Sequence, residues 1–460
     1  MEMPFIKIKS GIAIIAMLCM VGHSSAQSKL NNSNHTPNIV IIMADDLDSR
    51  QLSCYGGQNI KTNHIDELAE SGMRFTNMIA SEAMCVPTRA SLFTGLYPAR
   101  HGAHQNHKPV YDELKSICHY LNDQGYRVGL TGKNHVTKPR EIFPFDIIPG
   151  FEPNCIKRTD EYFLDSIERY IKQPDPYCLF VMSVNPHVPW TVGDPSEFDQ
   201  KNLVLPANWV DTRMTRRHFA SFLAEVRRLD DQVGDVMKML EKNGQLENTI
   251  VIFLGEQGPQ FPGGKWTLWD YGQHSSMIVR WPGVVKPGTV SPALVQYEDI
   301  VPTLVHIAGG KPIAGLDGIS FDKVLTHADK GSRAYAFGIH NNIPAGTAYP
   351  MRSIRDHQYK MIWNLLPESQ YFVRMMTPND KNLYSTWLNK AEQDSHAAMI
   401  VNRLTNRPEF ELYDLKKDPD ELNNLASKPE YAKKVDEYKY KLVQWMQQQN
   451  DTGADMDVKF

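Results

Sequence analysis

The chain has 460 residues, a formal net charge of −4, 42% hydrophobic residues and 22% charged residues. This length is enough for a large hydrophobic core or for two domains. The slightly acidic balance excludes a global basic field that would recruit nucleic acid, so any polyanionic ligand must be met by a local basic pocket.

The first 26 residues have the pattern of a secretory signal. Lys7 and Lys9 precede an apolar stretch over residues 11–21, and small residues then lead to a cleavage site after Ala26. A membrane anchor is the alternative, but the stretch is too short to span a bilayer comfortably. Cys19 leaves a lipoprotein open, although the residues before it fit that pattern poorly. We predict export without a remaining membrane segment, to the periplasm in a bacterium and otherwise to the exterior or a lysosome.

Apolar runs and helical spacing alternate along the next part of the chain. Continuous apolar runs, which are typical of strands buried on both faces, predict strands at residues 37–43, 126–131, 177–184 and 248–254. Apolar residues at helical spacing predict helices at residues 62–71, 111–123 and 215–242. This alternation indicates a doubly wound α/β domain with a large, mostly parallel sheet between helices.

The pattern changes after about residue 330. Short strand-like runs with close turns predict strands at residues 334–339, 351–355, 359–364 and 411–415, and a final helix is predicted at residues 430–449. These elements indicate an antiparallel sheet with a packed helix. We predict an α/β domain over residues 27–330 and a smaller C-terminal α+β subdomain over residues 331–460, with no Pro/Gly/Ser-rich linker between them.

Polar residues follow four of the predicted buried strands. Ligands of open α/β sheets bind at the carboxyl ends of the strands, so these residues are candidates for one site. They are Asp45, Asp46, Lys133, His135, His187, Glu256 and Gln257. Adjacent carboxylates such as Asp45 and Asp46 suit a hard divalent cation, although an Asp-Asp pair alone is more often a solvated turn.

One of the five cysteines after the signal stands in a motif that packing does not explain. Residues 85–95 read Cys-Val-Pro-Thr-Arg-Ala-Ser-Leu-Phe-Thr-Gly, with Pro87 placed where prolines begin helices. Cys85 is therefore expected at a helix N-terminus, where free N–H groups and the helix dipole favour an anion. Arg89 follows one turn later. A lone cysteine is by default a buried structural residue, so the length of the motif decides the interpretation.

This eleven-residue run resembles the signature of the type I sulfatases. In that family a formylglycine-generating enzyme converts the cysteine to formylglycine (3-oxoalanine), and the hydrated aldehyde attacks the sulfur of a sulfated substrate. The resemblance implies the alkaline-phosphatase-like sulfatase fold. It also implies six catalytic residues in this chain, which are Cys85, Arg89, Lys133, His135, His187 and Lys265.

The resemblance gives these residues different roles. The two lysines and Arg89 would hold sulfate, His135 would take a proton from the hydrated aldehyde, and His187 would protonate the leaving atom. Lys133 and His135 match the family's Gly-Lys-x-His string, and Lys265 fits by its place in the loop over residues 258–269. Trp266 and Trp269 of that loop either stack on a sugar face or pack the loop itself.

The resemblance also implies one calcium ion, with ligands from Asp45, Asp46, residue 85 and a later strand end. The family usually has Asp-Asn at that later end, whereas this chain has Glu256 and Gln257, each longer by one methylene. Calcium tolerates flexible coordination, so we still expect Glu256 and Gln257 to be ligands.

Further strings extend the resemblance over most of the chain, and they are closest to the heparan N-sulfatase branch. This implies N-sulfoglucosamine of heparan sulfate as the substrate, with an O-sulfated sugar of another glycosaminoglycan or sulfated glycan as the alternative. Asn185 in place of Asp, and Lys265 in place of Arg, depart from that branch. The strings that carry the resemblance include residues 132–136, 143–146, 261–265 and 349–354.

Two other classes of function stay open. Phosphatases, phosphodiesterases and phosphomutases of the same α/β superfamily use Ser or Thr as the nucleophile and do not need the Cys-x-Pro-x-Arg context. A non-catalytic relative that only binds sulfated glycans is favoured weakly by Glu256 and Gln257. It is disfavoured by the intact set of catalytic candidates.

Overall fold

The computed structural model describes residues 36–136, 138–331, 333–379 and 382–459. The predicted signal at residues 1–26 therefore lies outside the described residues. Within these ranges, no helix is both apolar and long enough to cross a bilayer. The five cysteines of the same ranges are all free thiols.

A large mixed sheet contains eight strands in the described part of the chain. They are β1 Asn38–Met43, β2 Met73–Ile79, β3 Arg127–Gly132, β4 Asp146–Ile147, β5 Tyr177–Met182, β6 Thr249–Leu254, β7 His274–Arg280 and β8 Thr289–Gln296. Their order across the sheet is β4-β3-β5-β1-β6-β7-β2-β8. Strand β7 runs antiparallel to both of its neighbours, and the other pairs are parallel.

A smaller antiparallel sheet follows, in the order β12-β11-β10-β9. Its strands are β9 Ala336–His340, β10 Met351–Arg355, β11 Tyr359–Asn364 and β12 Phe410–Asp414. Both sheets confirm the predicted fold class. They also confirm the predicted strands, whose bounds agree with the observed ones to within two residues at each end.

The α-helices of the described residues lie between and beside these strands. They are α1 Asn63–Glu70, α2 Cys85–Thr94, α3 Pro98–His101, α4 Ile117–Asn122, α5 Asp165–Ile171, α6 Arg213–Lys242, α7 Asp270–Gln273, α8 Ile300–Ile307, α9 Asp322–Thr326, α10 Leu383–Ala391, α11 Ser395–Thr405 and α12 Ala432–Gln448. The helix predicted at residues 111–123 is shorter, because Ser116 forms a capping box with His119 and the helix begins only at Ile117.

The smaller sheet shares one hydrophobic core with the larger sheet. Met351 and Tyr413 of the smaller sheet belong to the same buried cluster as Val40 of β1 and Phe219 of α6. Helices α10 and α11, which the apolar pattern did not reveal, join this core. Trp387 of α10 is fully buried, and its indole N–H donates to Thr215 Oγ1 at 2.9 Å.

The strand order decides where the polar strand ends meet. Strands β3, β5, β1 and β6 are direct neighbours and run parallel, so their carboxyl ends form one continuous edge. Helix α2 has all ten residues buried, and its first residue contacts the side chains that follow β1 and β6. The predicted site residues are therefore assembled by the middle of the sheet.

Candidate active site

Cys85 is the first residue of α2 and lies at the centre of a buried polar cluster. Its Sγ is 3.6 Å from Asp45 Oδ1 and 3.7 Å from Asp46 Oδ1. The side-chain amide of Gln257 donates to the same sulfur at 3.4 Å. The next peptide N–H, that of Val86, donates to Asn106 Oδ1 at 3.1 Å. The predicted position of Cys85 at a helix start is confirmed.

The Cys85 thiol is not activated as a nucleophile. Burial and the nearby Glu256 carboxylate raise the pKa of the Cys85 thiol well above its usual range. A thiol with a raised pKa stays protonated at neutral pH and is a poor nucleophile, because the thiolate is the reactive form. An unmodified cysteine at this position is therefore chemically quiet.

Each of the three predicted sulfate-holding cations is paired with a carboxylate. Lys133 Nζ lies 2.7 Å from Asp45 Oδ1, and Lys265 Nζ lies 2.8 Å from Asp46 Oδ2. These ion pairs are buried away from water, so each charge is stabilised by its partner and not by solvent. Burial alone would raise the pKa of Asp45, but Lys133 and the other nearby cationic groups lower it to about 2.

Arg89 completes the charge balance of the cluster. Its Nε lies 2.6 Å from Glu256 Oε1, and both side chains are fully buried. Arg89 also donates to the main-chain oxygen of Lys133 at 3.2 Å, which ties the β3 end to α2. Three carboxylates and three cations therefore balance. The charge of any bound divalent cation would make the pocket positive.

The side-chain nitrogen of Gln257 marks a point on which acceptors converge. It lies 2.6 Å from Asp46 Oδ1, 2.8 Å from Glu256 Oε2 and 3.4 Å from Cys85 Sγ. An amide nitrogen has two hydrogens for these three acceptors. An acceptor-rich, anionic point of this kind fits a cation better than an amide, and oxygen donors are the ligands that calcium prefers.

A possible metal site is formed by Asp45, Asp46, Cys85 and His187, whose ligand atoms lie within 4.8 Å of one another. Three of these were predicted around the cation, whereas His187 was predicted only as an acid. Glu256 lies at the edge of this possible metal site. Its Oε1 is paired with Arg89, and its Oε2 accepts from the Asp46 N–H at 3.2 Å. The residues present fit a divalent cation.

His187 faces this cluster through Nε2, which lies 3.6 Å from Asp46 Oδ2. Its Nδ1 lies 2.5 Å from the main-chain oxygen of Val188. A carbonyl oxygen only accepts, so Nδ1 carries a hydrogen. Burial lowers the pKa of His187 against the opposite pull of Asp45 and Asp46. Nε2 is therefore the ring nitrogen that faces the acceptor-rich point and can exchange a proton with a group bound there.

His135 is held as a neutral ring. Burial, together with the positive charges of Lys133 and Arg89, lowers the pKa of His135 to about 2. The ring is therefore neutral at physiological pH, and its buried Nδ1 has no hydrogen-bond partner among the described residues. The His135 ring packs edge-to-face on His107, with the centroids 5.4 Å apart.

The two tryptophans of the Lys265 loop have different environments. Trp269 is buried, donates to Glu411 Oε2 and is contacted by the guanidinium groups of Arg403 and Arg407, so it packs the interior. Trp266 is partly exposed, and its ring centroid lies 5.4 Å from Lys265 Nζ. Trp266 is therefore the one of the pair that can reach a ligand.

Left-handed backbone is concentrated around the cluster. Five non-glycine residues of the described chain have positive φ, and three of them adjoin Cys85 or its partners. They are Asp46 at 62°, His107 at 68° and Trp266 at 68°. Such conformations are costly for non-glycine residues and persist mainly where a site requires them.

Several supporting residues carried no signal in the sequence. The hydroxyl of Tyr297 lies 2.8 Å from the main-chain oxygen of Glu256 and 2.9 Å from that of Gly255, which fixes the end of β6. Asn106 caps the start of α2. Thr88 is an exception, because it lies within the motif over residues 85–95. Its hydroxyl lies 3.3 Å from Gln257 Oε1.

The comparison with known families decides the class. Residues 37–310 match the profile of the Sulfatase family, and residues 264–407 match the profile described as N-sulphoglucosamine sulphohydrolase, C-terminal. The chain belongs to the sulfatase family. Sulfatases hydrolyse sulfate esters, and the family generally uses a formylglycine and a divalent metal.

Relatives of this sulfatase act on different sulfated saccharides. An ulvan-active sulfatase of Formosa agariphila is 32% identical, over 93% of this chain and 83% of that protein. Human N-sulphoglucosamine sulphohydrolase is 27% identical, over 95% of this chain and 94% of its own length. An N-acetylglucosamine-6-O-sulfatase of Bacteroides thetaiotaomicron is 22% identical, over 96% of this chain and 92% of its own.

Solved structures confirm the fold. A protein solved in complex with D-glucosamine-2-N,6-O-disulfate has a TM-score of 0.72 and 21% identity, covering 93% of this chain and 100% of that chain. The phosphonate monoester hydrolase of Agrobacterium radiobacter has a TM-score of 0.69 and 21% identity, covering 90% and 96%. One fold thus carries more than one chemistry, and the site residues must decide between them.

Proposed function

We propose that this sulfatase removes sulfate from a sulfated saccharide, with a formylglycine made from Cys85 and a bound calcium ion. The observation that carries the proposal is the contact of Cys85 Sγ with Asp45, Asp46 and Gln257 at the buried start of α2. A protonated thiol there is a poor nucleophile, whereas the hydrated aldehyde of formylglycine supplies an oxygen nucleophile. A maturation enzyme is required for this conversion.

The chain's own residues supply binding and proton transfer. Lys133, Lys265 and Arg89 surround the position of the sulfate and stabilise the negative charge that grows on its oxygens. A bound divalent cation supplies further positive charge to this pocket and leaves it with a net attraction for an anionic substrate. His187 protonates the leaving atom, and the neutral ring of His135 accepts the proton released at residue 85.

The first candidate substrate is N-sulfoglucosamine of heparan sulfate. It is supported by the match of residues 264–407 to the C-terminal profile of N-sulphoglucosamine sulphohydrolase and by the human relative of that name. Asn185 bears on this choice. The side-chain amide of Asn185 donates to Asp160 Oδ2 at 2.8 Å. The heparan N-sulfatase branch has an Asp at position 185, and here the Asp160 carboxylate lies next to that position but comes from another part of the chain.

The second candidate is an O-sulfate ester on a polysaccharide such as ulvan. It is supported by the ulvan-active relative, which is 32% identical over 93% of this chain, and by Lys265 in place of arginine. A lysine is a point charge, whereas an arginine binds sulfate through two parallel hydrogen bonds. The replacement of arginine by Lys265 suits a substrate whose sulfate is positioned differently from that of N-sulfoglucosamine.

A panel of sulfated saccharides tests these assignments. The panel contains N-, 2-O-, 3-O- and 6-O-sulfated glucosamine-containing saccharides and ulvan oligosaccharides, each incubated with enzyme from a host that makes formylglycine. Release of sulfate from N-sulfoglucosamine supports the first candidate. Release from O-sulfated sugars alone supports the second, and binding without any release identifies a non-catalytic relative.

The remaining assignments belong to the same proposal. Residues 1–26 direct export, residues 27–330 form the catalytic domain and residues 331–460 form the C-terminal subdomain. Calcium is proposed because Asp45 and Asp46 offer carboxylate oxygens, which are the hard ligands that calcium prefers. Inductively coupled plasma mass spectrometry of the purified protein identifies the metal, and a transition metal at full occupancy would contradict the calcium assignment.

A further inference from the structure

The side chain of Trp190 is bound to the turn that carries His187. Its indole N–H donates to the main-chain oxygen of Pro186 at 2.9 Å. This oxygen belongs to the peptide group that joins Pro186 to His187. The N–H of the same peptide group donates to the main-chain oxygen of Val184 at 3.0 Å, so both polar ends of the peptide are held. Because the backbone at a residue limits its side-chain rotamers, the orientation of this peptide governs the direction of the imidazole.

The His187 ring moves with this turn. Its Nδ1 lies 2.5 Å from the main-chain oxygen of Val188, which is part of the turn itself. The turn is joined to the end of β1, where the Asp45 N–H donates to the main-chain oxygen of Asn185 at 3.0 Å. The approach of His187 Nε2 to Asp46 Oδ2, at 3.6 Å, therefore depends on where the backbone of the turn lies.

The ring of Trp190 is fixed by elements outside the turn. It stacks on Phe261, with the centroids 4.6 Å apart and the planes 17° from parallel, and it meets Phe222 of α6 edge-to-face at 5.8 Å. Phe261 is fully buried and belongs to the loop that carries Lys265. The main-chain N–H groups of Phe261 and Lys265 both donate to the oxygen of Pro259, at 2.7 and 3.0 Å. Trp190 therefore joins the His187 turn to the Lys265 loop.

We propose that Trp190 is a positioning residue, which holds His187 where it protonates the leaving atom. The inference rests on the proposed function, in which His187 is the acid, and Trp190 acts through the Pro186 carbonyl without touching the substrate. A positioned acid contributes about 100- to 10,000-fold to the rate, and a displacement of about 1 Å can cost about 100-fold. Loss of the indole N–H should slow departure of the leaving atom without weakening binding of the saccharide.

Trp190→Phe tests this inference, because it keeps an aromatic ring for the stack on Phe261 and removes the N–H donor. On the saccharide that the wild-type enzyme desulfates fastest, kcat/KM should fall about ten- to 100-fold. Calorimetry in the Cys85→Ala background, which cannot turn over, measures binding of the same saccharide. There Trp190→Phe should change the affinity by less than about two-fold. A loss of affinity as large as the loss of kcat/KM would overturn the inference.

The leaving group provides a second readout. An analogue of the saccharide with fluorine on the carbon next to the sulfated position has a less basic leaving atom, so its departure depends less on an acid. Trp190→Phe should lower kcat/KM for this analogue only about two- to three-fold, and His187→Ala should show the same contrast with larger losses. Equal losses on both saccharides for Trp190→Phe alone would overturn the inference. Equal losses for His187→Ala, or no sulfate release by the wild type, would instead remove the proposed function on which it rests.

Trp209→Phe is the matched control. Trp209 also stacks on Phe261, with the centroids 4.1 Å apart and the planes 28° from parallel, and it is buried. Its indole nitrogen has no hydrogen-bond partner among the described residues. The control therefore removes the same ring atoms without releasing the His187 turn, and kcat/KM should stay within about three-fold of the wild type. A loss as large as that of Trp190→Phe would show a packing effect and would overturn the inference.

Discussion

The side-chain nitrogen of Gln257 lies 2.6 Å from Asp46 Oδ1, at a point where the Glu256 carboxylate and the Cys85 sulfur also converge. This relationship links the end of β1, which has the usual Asp-Asp pair, with the end of β6, where Glu256 and Gln257 stand in place of the usual Asp-Asn pair. The longer side chains still reach the same point. Glu256 brings a carboxylate oxygen to this point, whereas Gln257 brings its amide nitrogen.

Removal of the metal should abolish activity and lower thermal stability. Dialysis against a calcium chelator leaves Asp45, Asp46 and Glu256 around Cys85 without a divalent partner. We expect a loss in kcat/KM of about 100-fold or more, because a bound cation stabilises charge in the transition state. Tm should fall and recover when calcium is added back, since a ligand of the folded state stabilises it. Full activity in excess chelator would refute a metal site.

Lys265→Ala should reduce kcat/KM by about 100- to 1,000-fold, as for the loss of one preorganised donor to developing charge. The change also leaves the buried Asp46 carboxylate without its ammonium partner at 2.8 Å. Lys265→Arg keeps the charge and should retain substantial activity. Steady-state kinetics on the preferred saccharide measures both variants, and Lys433→Ala serves as the surface control. Near-wild-type kinetics for Lys265→Ala would exclude Lys265 from sulfate binding.

Gly132→Ala should destabilise the fold by about 3 kcal/mol or more. Gly132 has a φ of 88°, and an added Cβ would lie 2.0 Å from the main-chain oxygen of Met182. This explains the glycine before Lys133 in the Gly-Lys-x-His string. Gly125→Ala is the matched control, because Gly125 has a φ of 80° with nothing within 4 Å of the added Cβ. The control should lose only about 1 to 2 kcal/mol, as measured by urea unfolding.

Glu225→Gln should make the protein more stable at pH 8 and leave its stability at pH 5 nearly unchanged. Burial raises the pKa of Glu225 to about 8, although the Val192 and Thr191 N–H groups oppose the shift. In the unfolded chain this carboxyl has its ordinary pKa near 4.5. The folded state therefore keeps a proton that the unfolded state releases, and stability falls as pH rises from about 4.5 to about 8.

Glutamine keeps the acceptor oxygen for Thr191 and Val192 but cannot ionise. Urea unfolding of the wild type and of Glu225→Gln at pH 5, 6.5 and 8 measures the effect. The difference in unfolding free energy should grow with pH to the order of a few kcal/mol at most. A difference that is independent of pH would show that Glu225 does not titrate in this range.

The strand ends of the site were predictable from sequence because the physics that places them is local. A buried strand is recognised by its apolar run, and its polar end marks the ligand edge of a parallel sheet. This reasoning located Asp45, Lys133, His187 and Glu256 without any knowledge of their contacts. The start of α2 at Cys85 was predictable for the same reason, since proline favours a helix beginning.

The pairing within the site was not predictable in this way. Arg89 and Glu256 are 167 residues apart in sequence, and no local pattern shows that they form the shortest ion pair of α2. The same applies to Tyr297, which positions Glu256, and to Asn106, which caps α2. Helices α10 and α11 were missed because their burial depends on contacts such as that of Trp387 with Thr215, which only the folded chain provides.

The mass of the peptide that contains residue 85 is the most direct test of the central claim. The protein is made in two hosts, with and without a formylglycine-generating enzyme, and sulfate release is measured on both preparations. We predict the mass of formylglycine and sulfate release in the first preparation, and the mass of cysteine without activity in the second. An unmodified Cys85 in a preparation that releases sulfate at full rate would contradict the account.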